Sequence, residues 1–155
     1  TLYYYYGSKE AIFDAVILKE MGEVFDCVKQ AVSKATSAEE KFKAFTLTKI
    51  RAVQKRANLY KIVTGEQKDT MRCIKHLNTE YNTHETQLIK EILSFGIANG
   101  EFAKHIKKEL DILPSVIASS LRGLERDIFA TTKYAKFESR IESILGIMMR
   151  GLKVN

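Results

Sequence analysis

Helix breakers are scarce in this sequence. Its 155 residues hold one proline, Pro114, and eight glycines. That leaves little material for frequent turns. With abundant Lys, Glu, Ala, Leu and Ile, it points to an all-α protein. Cysteine is also sparse. Cys27 and Cys73 lie far apart and form no CxxC pair, so a disulfide framework is not expected. Both read as buried structural thiols in a reducing, cytoplasmic setting. No apolar run reaches the roughly 18 residues of a membrane span. The N-terminus lacks the charged and apolar regions of a signal peptide. Catalytic signatures are missing as well: there is no GxSxG, P-loop, HExxH or DxDxDG, so neither an enzyme nor a cofactor is expected.

What is present is a soluble globular balance, with 45% hydrophobic and 28% charged residues. The net charge of +6 suits a polyanionic partner such as DNA, although many proteins that touch no nucleic acid share it. There is no internal repeat and no low-complexity segment. Ser8 is placed to cap a long helix over residues 9–35, whose apolar positions recur at three- and four-residue steps from Ile12 to Val32. Ser37-Ala38-Glu39-Glu40 is a capping box opening a second helix to about residue 57. A short helix over 58–64 and a long one over 70–98 follow. The inner face of the long helix reads Ile74, Leu77, Tyr81, His84, Leu88, Ile92 and Phe95. Asn99-Gly100 ends it, a polar connector covers 101–109, and two final helices span about 111–131 and 136–152.

Those last two helices carry apolar residues on more than one face, which implies burial against a partner subunit as well as the core. The expected result is a homodimer through a four-helix contact involving Ile128, Ile141, Ile144, Leu145 and Met148, with Ala118, Gly123 and Gly146 permitting close approach.

Residues 1–13, TLYYYYGSKEAIF, resemble the segment that ends the helix-turn-helix of TetR-type transcriptional regulators. The family pattern is T-[LIV]-Y-x-[HY]-F followed by x-S-K-E-x-[LI]-[FL], and Tyr6 stands where Phe is usual. Gly96-Ile97-Ala98-Asn99-Gly100-Glu101-Phe102 is similar to the G-I-x-x-G-E-F turn often found after the family's long central helix. Residues 137–152 are similar to its final helix. The resemblance implies that residues 1–8 are the end of a helix-turn-helix DNA-binding domain and 9–155 a ligand-binding and dimerisation domain. It further implies about 45 residues ahead of Thr1 supplying the first two DNA-binding helices. Thr1, Tyr3, Tyr4, Tyr5 and Lys9 would contact operator DNA, with tyrosine rings on sugars and thymine methyls and hydroxyls on phosphate. Leu2 and Tyr6 would face inward.

The same resemblance implies a small-molecule effector bound inside the helical body. Its expected lining is Phe45, Ile50, Tyr60, Tyr81, His84, Leu88, Ile117 and Leu121, a greasy pocket with two polar tips that suits a lipophilic, weakly polar compound. Effector binding would change the separation of two recognition helices, which must sit roughly 34 Å apart to read one face of DNA. Repression relieved by ligand is the default expectation. His76, Glu80 and His84 follow one another at four-residue steps, but adjacent pairs alone cannot hold a metal without a ligand from elsewhere, and no metal is expected. Lys49, Arg51, Lys55, Arg56, Lys104, Lys107 and Lys108 read as solvated surface. Two other classes compete: a helical adaptor that binds a protein through exposed apolar helices, and a small helical enzyme built around His84.

Overall fold

Two serines set the frame. In the computed structural model, which describes the backbone of residues 2–56, 59–61, 71–130 and 134–154 and the side chains of 4–56, 59–61, 79–129 and 140–154, Ser8 caps a helix. Its hydroxyl accepts the Ala11 N–H at 3.1 Å, satisfying a donor that every helix start leaves free. Gly7 just before it takes φ +70°, a left-handed turn that a side chain would strain. Short α1 (Leu2–Tyr6) therefore runs through one tight turn into α2 (Lys9–Lys34). The expected boundaries of α2 are met, with Ala35 as its C-cap.

Ser37 begins α3 (Ala38–Gln54) with the anticipated capping box. Its hydroxyl accepts the Glu40 N–H at 3.1 Å, while the Glu40 carboxylate accepts the Ser37 N–H at 3.2 Å. Hydrogen bonds from the Thr36 side chain and then from the Thr36 and Ser37 backbones hold the Glu40 carboxyl below its ordinary value. Residues 59–61 are helical, and Leu59 donates its N–H to Glu20 of α2 at 2.8 Å. The rest of the expected 58–64 helix lies outside the described residues. Next come α4 (Met71–Ala98), a 3₁₀ segment at Lys104–Glu109, α5 (Leu113–Ala130) with Pro114 in its first turn, and α6 (Tyr134–Arg150). Among the described residues there is no strand beyond an isolated bridge between Phe102 and Lys153. No described helix is long and apolar enough to cross a membrane.

The turn after α4 explains its sequence. Gly100 has φ +74°, and the N–H groups of Glu101 and Phe102 both donate to the Gly96 carbonyl, at 2.9 and 3.0 Å. Phe102 folds back fully buried against Gly96. A Cβ at Gly96 would lie 2.3 Å from the Phe102 ring and 2.8 Å from the Ala38 Cβ, so only glycine lets the ring in. The Glu101 carboxylate accepts the Ala38 N–H through both oxygens, at 3.0 and 2.8 Å, and anchors the start of α3. Ala103 donates to the Leu152 carbonyl at 2.9 Å, tying the chain end to the same turn. The supposed polar connector is thus a folded joint, with Phe102 and Ile106 buried.

Two expected faces are corrected. Among the described residues the buried face of α4 is Glu85, Leu88, Ile89, Ile92 and Leu93. Leu88 and Ile92 are as expected, but His84 is exposed and Tyr81 and Phe95 are half-buried, while the Ile74 and Leu77 side chains lie outside the described set. A face centred on Glu85 was hidden because its central residue is charged. In α5 and α6, Ile128, Ile141 and Leu145 are fully buried within this one chain, so they are not available to a partner as expected. Among the described residues of this region, Ile112 just before α5, Val116, Ile147 and Met148 face solvent, and Ile144 is half-buried. Cys27, expected as a buried thiol, is exposed, and Cys73 lies outside the described side chains.

Replacing Gly96 with Ala should cost about 1–3 kcal/mol through overpacking. Ser37→Ala should cost about 1 kcal/mol through loss of the cap. Urea denaturation followed by circular dichroism measures both, and a neutral Gly96→Ala would contradict the close approach to Phe102.

Candidate functional site

Lys49 lies on the face of α3 that also carries Phe42, Phe45, Thr46, Ile50 and Val53, all buried. At 3% exposure it is a core residue, which corrects the solvated-surface expectation. Its position one turn after Phe45 and one turn before Val53 was the available signal, and the charge masked it. Arg51, Lys55, Lys104, Lys107 and Lys108 are exposed as expected. Arg56 is partly buried, donating to Glu23 at 3.1 Å and to the Ala52 carbonyl at 2.7 Å.

The Lys49 ammonium meets carboxylates from two other helices. It donates to Glu85 of α4, and Glu125 of α5 lies 3.0 Å away. Arg122, one turn before Glu125, donates to the other Glu85 oxygen at 3.0 Å and to Ser119 Oγ at 2.9 Å. Glu85 is 1% and Glu125 5% exposed. The facing Glu125 oxygen sits at ion-pair distance from Lys49 but makes no directed hydrogen bond. Tyr81, one turn before Glu85, presents its ring to Lys49 Nζ at 5.7 Å.

Burial disfavours charge on each of these groups, and the neighbours decide the outcome. For Lys49, burial pushes the ammonium down, but Glu125 and Glu85 outweigh it and the net shift is upward. For Glu125, burial pushes the carboxyl up; Lys49 opposes this and Glu85 adds to it. For Tyr81, burial pushes the phenol up, Lys49 works against it, and the carboxylates reinforce it. Tyr81 therefore remains neutral at any physiological pH.

Beside this cluster, a groove of about 230 Å³ opens between α2 and α4. Leu18, Met21, Gly22 and Phe25 line it from α2, and Glu80, Tyr81 and His84 from α4. Phe25 meets the Tyr81 ring edge-on at 6.4 Å and the tilted His84 ring at 5.5 Å. A second, more polar groove of about 450 Å³ lies between α4 and the start of α5, near Thr83, Gln87, Lys90 and Ser115.

Of the eight residues expected to line an internal pocket, Tyr81 and His84 line the α2–α4 groove. Phe45, Ile50, Leu88, Ile117 and Leu121 are buried in the common core. Tyr60 packs edge-on against Phe129 at 5.3 Å and donates to its carbonyl at 3.3 Å. Of the expected DNA contacts, Tyr4 and Tyr5 are 86% and 82% exposed, with rings 5.7 Å apart, and Lys9 is exposed. Tyr6, expected to face inward, is 44% exposed. Thr1 and the side chains of Leu2, Tyr3 and His76 lie outside the described set. Among the described residues no group of three or more His, Cys, Asp or Glu side chains is placed to hold a metal ion.

A long helix carrying a short exposed helix at one end, packed on a helical body, is the fold of TetR-type regulators. In particular, the chain superimposes on a bacterial regulatory protein in the tetR family from Rhodococcus RHA1, with a TM-score of 0.71 at 13% identity. The match covers 99% of this chain and 79% of that one, and it establishes the all-α TetR-like fold. No protein-family model matches the chain, and no curated protein does.

Lys49→Met should destabilise the fold by about 3–5 kcal/mol near neutral pH, because it strands buried carboxylates. Glu125 has a folded pKa above its unfolded one, so its favourable contribution exists below the unfolded value and disappears as pH rises through the folded one. The variant should therefore regain stability as the pH falls into the ordinary carboxylate range. Urea melts across pH test this; a flat profile would mean that Glu125 is not buried with its charge.

Proposed function

We propose that the chain is the effector-sensing and dimerising body of a cytoplasmic transcriptional regulator that binds operator DNA as a homodimer. The observation that carries this reading is the likeness to a tetR-family regulatory protein, joined to the exposed Tyr4 and Tyr5 of α1. The two rings meet edge-on and are otherwise open to solvent, and they sit at the N-terminal end of a capped, 26-residue helix. Such a surface suits a DNA groove. Ring faces rest on sugars and thymine methyls, hydroxyls reach phosphate, and Lys9 adds a charge contact. Thr1 and Tyr3 complete the proposed contact set.

Dimerisation is assigned to the apolar residues that the single chain leaves uncovered. Ile112 just ahead of α5 and Val116 in its first turn stand four residues apart, and Ile147 and Met148 are on α6. Gly123 and Gly146 add open ground, since a Cβ at either would meet nothing within 4 Å. The regulator acts as a repressor: a small effector favours a spacing of the two α1 helices that no longer matches one turn of DNA, and the operator is released.

In a mobility-shift assay with the full-length protein and its own upstream intergenic DNA, Tyr4→Ala should weaken specific binding by about tenfold. Wild-type affinity should fall steeply with salt, as phosphate contacts require. Absence of specific binding at every salt concentration would instead favour a protein-binding adaptor. Ile147→Glu should shift the protein from dimer to monomer in sedimentation velocity; an unchanged dimer would move the interface elsewhere.

A further inference from the structure

We propose that the groove between α2 and α4 binds a small organic cation with an apolar body, such as an aryl-substituted ammonium compound. The proposal deepens the regulator reading by naming a class of effector. Three observations support it. There is room: Gly22 lines the groove, and a Cβ there would meet nothing within 4 Å. The volume of about 230 Å³ is below that of a typical drug site, so the ligand is compact. The lining chemistry is one-sided: Met21, Leu18 and the Phe25 and Tyr81 rings supply apolar and π surface, and Glu80 supplies a carboxylate. No lysine or arginine is among the described lining residues.

The same rings already hold cations from within the protein. Lys29 Nζ lies 5.0 Å from the Phe25 ring centroid, and Lys49 Nζ lies 5.7 Å from that of Tyr81. Lys29 is itself paired with Asp26 at 3.2 Å. The Lys49 charge is offset by Glu85 and Glu125, so it does not repel a cation arriving on the groove side. An anion, by contrast, would face Glu80 with His84 as its sole nitrogen donor from the described lining side chains. Aromatic faces attract ammonium groups through their quadrupole, and a nearby carboxylate adds to the pull. Tyr81 also connects the groove to the cluster that joins α3, α4 and α5, so occupancy bears on the packing of α2 against the body.

The test titrates the full-length protein with benzyltrimethylammonium, benzyl alcohol and benzoate by calorimetry. The ring resonances of Phe25 and Tyr81 are followed in parallel by NMR. The cation should bind about threefold to fivefold more tightly than the neutral alcohol, and benzoate most weakly. Glu80→Gln should weaken the cation and leave the alcohol unchanged. Gly22→Leu should block the cation while the wild-type helical signal is retained, and Gly22→Ala serves as a milder second variant should the leucine disturb folding. The proposal is overturned if the alcohol binds as well as the cation, if no probe binds, if Gly22→Leu folds and binds undiminished, or if the two rings do not shift. A protein that binds the cation but not DNA would contradict the regulator reading alone. One that binds DNA but not the cation would contradict this proposal alone.

Discussion

One ammonium group fixes how the middle of the molecule is arranged. Lys49 reaches from α3 into a space shared by Glu85 of α4 and Glu125 of α5, with Arg122 closing the set. Taking these charges out of water is expensive, and their mutual attraction does little more than offset the loss. A well-packed apolar core would be no less stable. What the cluster supplies is discrimination. An apolar contact tolerates a helix that slides or rotates by a fraction of a turn, whereas an ammonium that must meet two carboxylates does not. We regard the cluster as the device that selects one arrangement of α3, α4 and α5 from several that burial alone would permit.

Much of the fold was legible because its signals are local. Ser8 and Ser37 mark helix starts through their own hydroxyls, and Gly100 marks an end through its positive φ. The spacing of Val24, Val28 and Val32 shows a buried stripe without reference to any partner helix. The charged core was illegible for the opposite reason. Lys49, Glu85 and Glu125 each occupy an apolar register position, but the reason each tolerates burial lies on another helix, far along the chain. The same limit applied to α5 and α6. Their apolar excess was evident, yet periodicity could not divide residues that pack inward, such as Ile128 and Leu145, from those that face out, such as Ile147. His84 was misplaced by a single residue of register, enough to move it from the core to a groove wall.

The Gly96–Phe102 joint shows how a short motif acquires a physical meaning. The glycine admits the ring, the positive φ of Gly100 turns the chain, and the Glu101 carboxylate caps α3 some sixty positions earlier in sequence. One turn thereby secures the end of α4, the start of α3 and, through Leu152, the end of the chain. The α3–α4–α6 end of the body is clamped, and the α2–α4 side carries the open groove.

That asymmetry makes α2 a rigid rod held unevenly. From Gly22 to Lys9 the helix runs about 20 Å at 1.5 Å per residue, with no proline and no break in its backbone ladder. A wedge in the groove that tilts the rod by about 5° would sweep its N-terminal tip by roughly 2 Å. Two tips moving apart in a symmetric pair would double that displacement to about the 3.4 Å rise between neighbouring base pairs. Mechanical advantage comes from a long helix with no interruption to absorb the tilt.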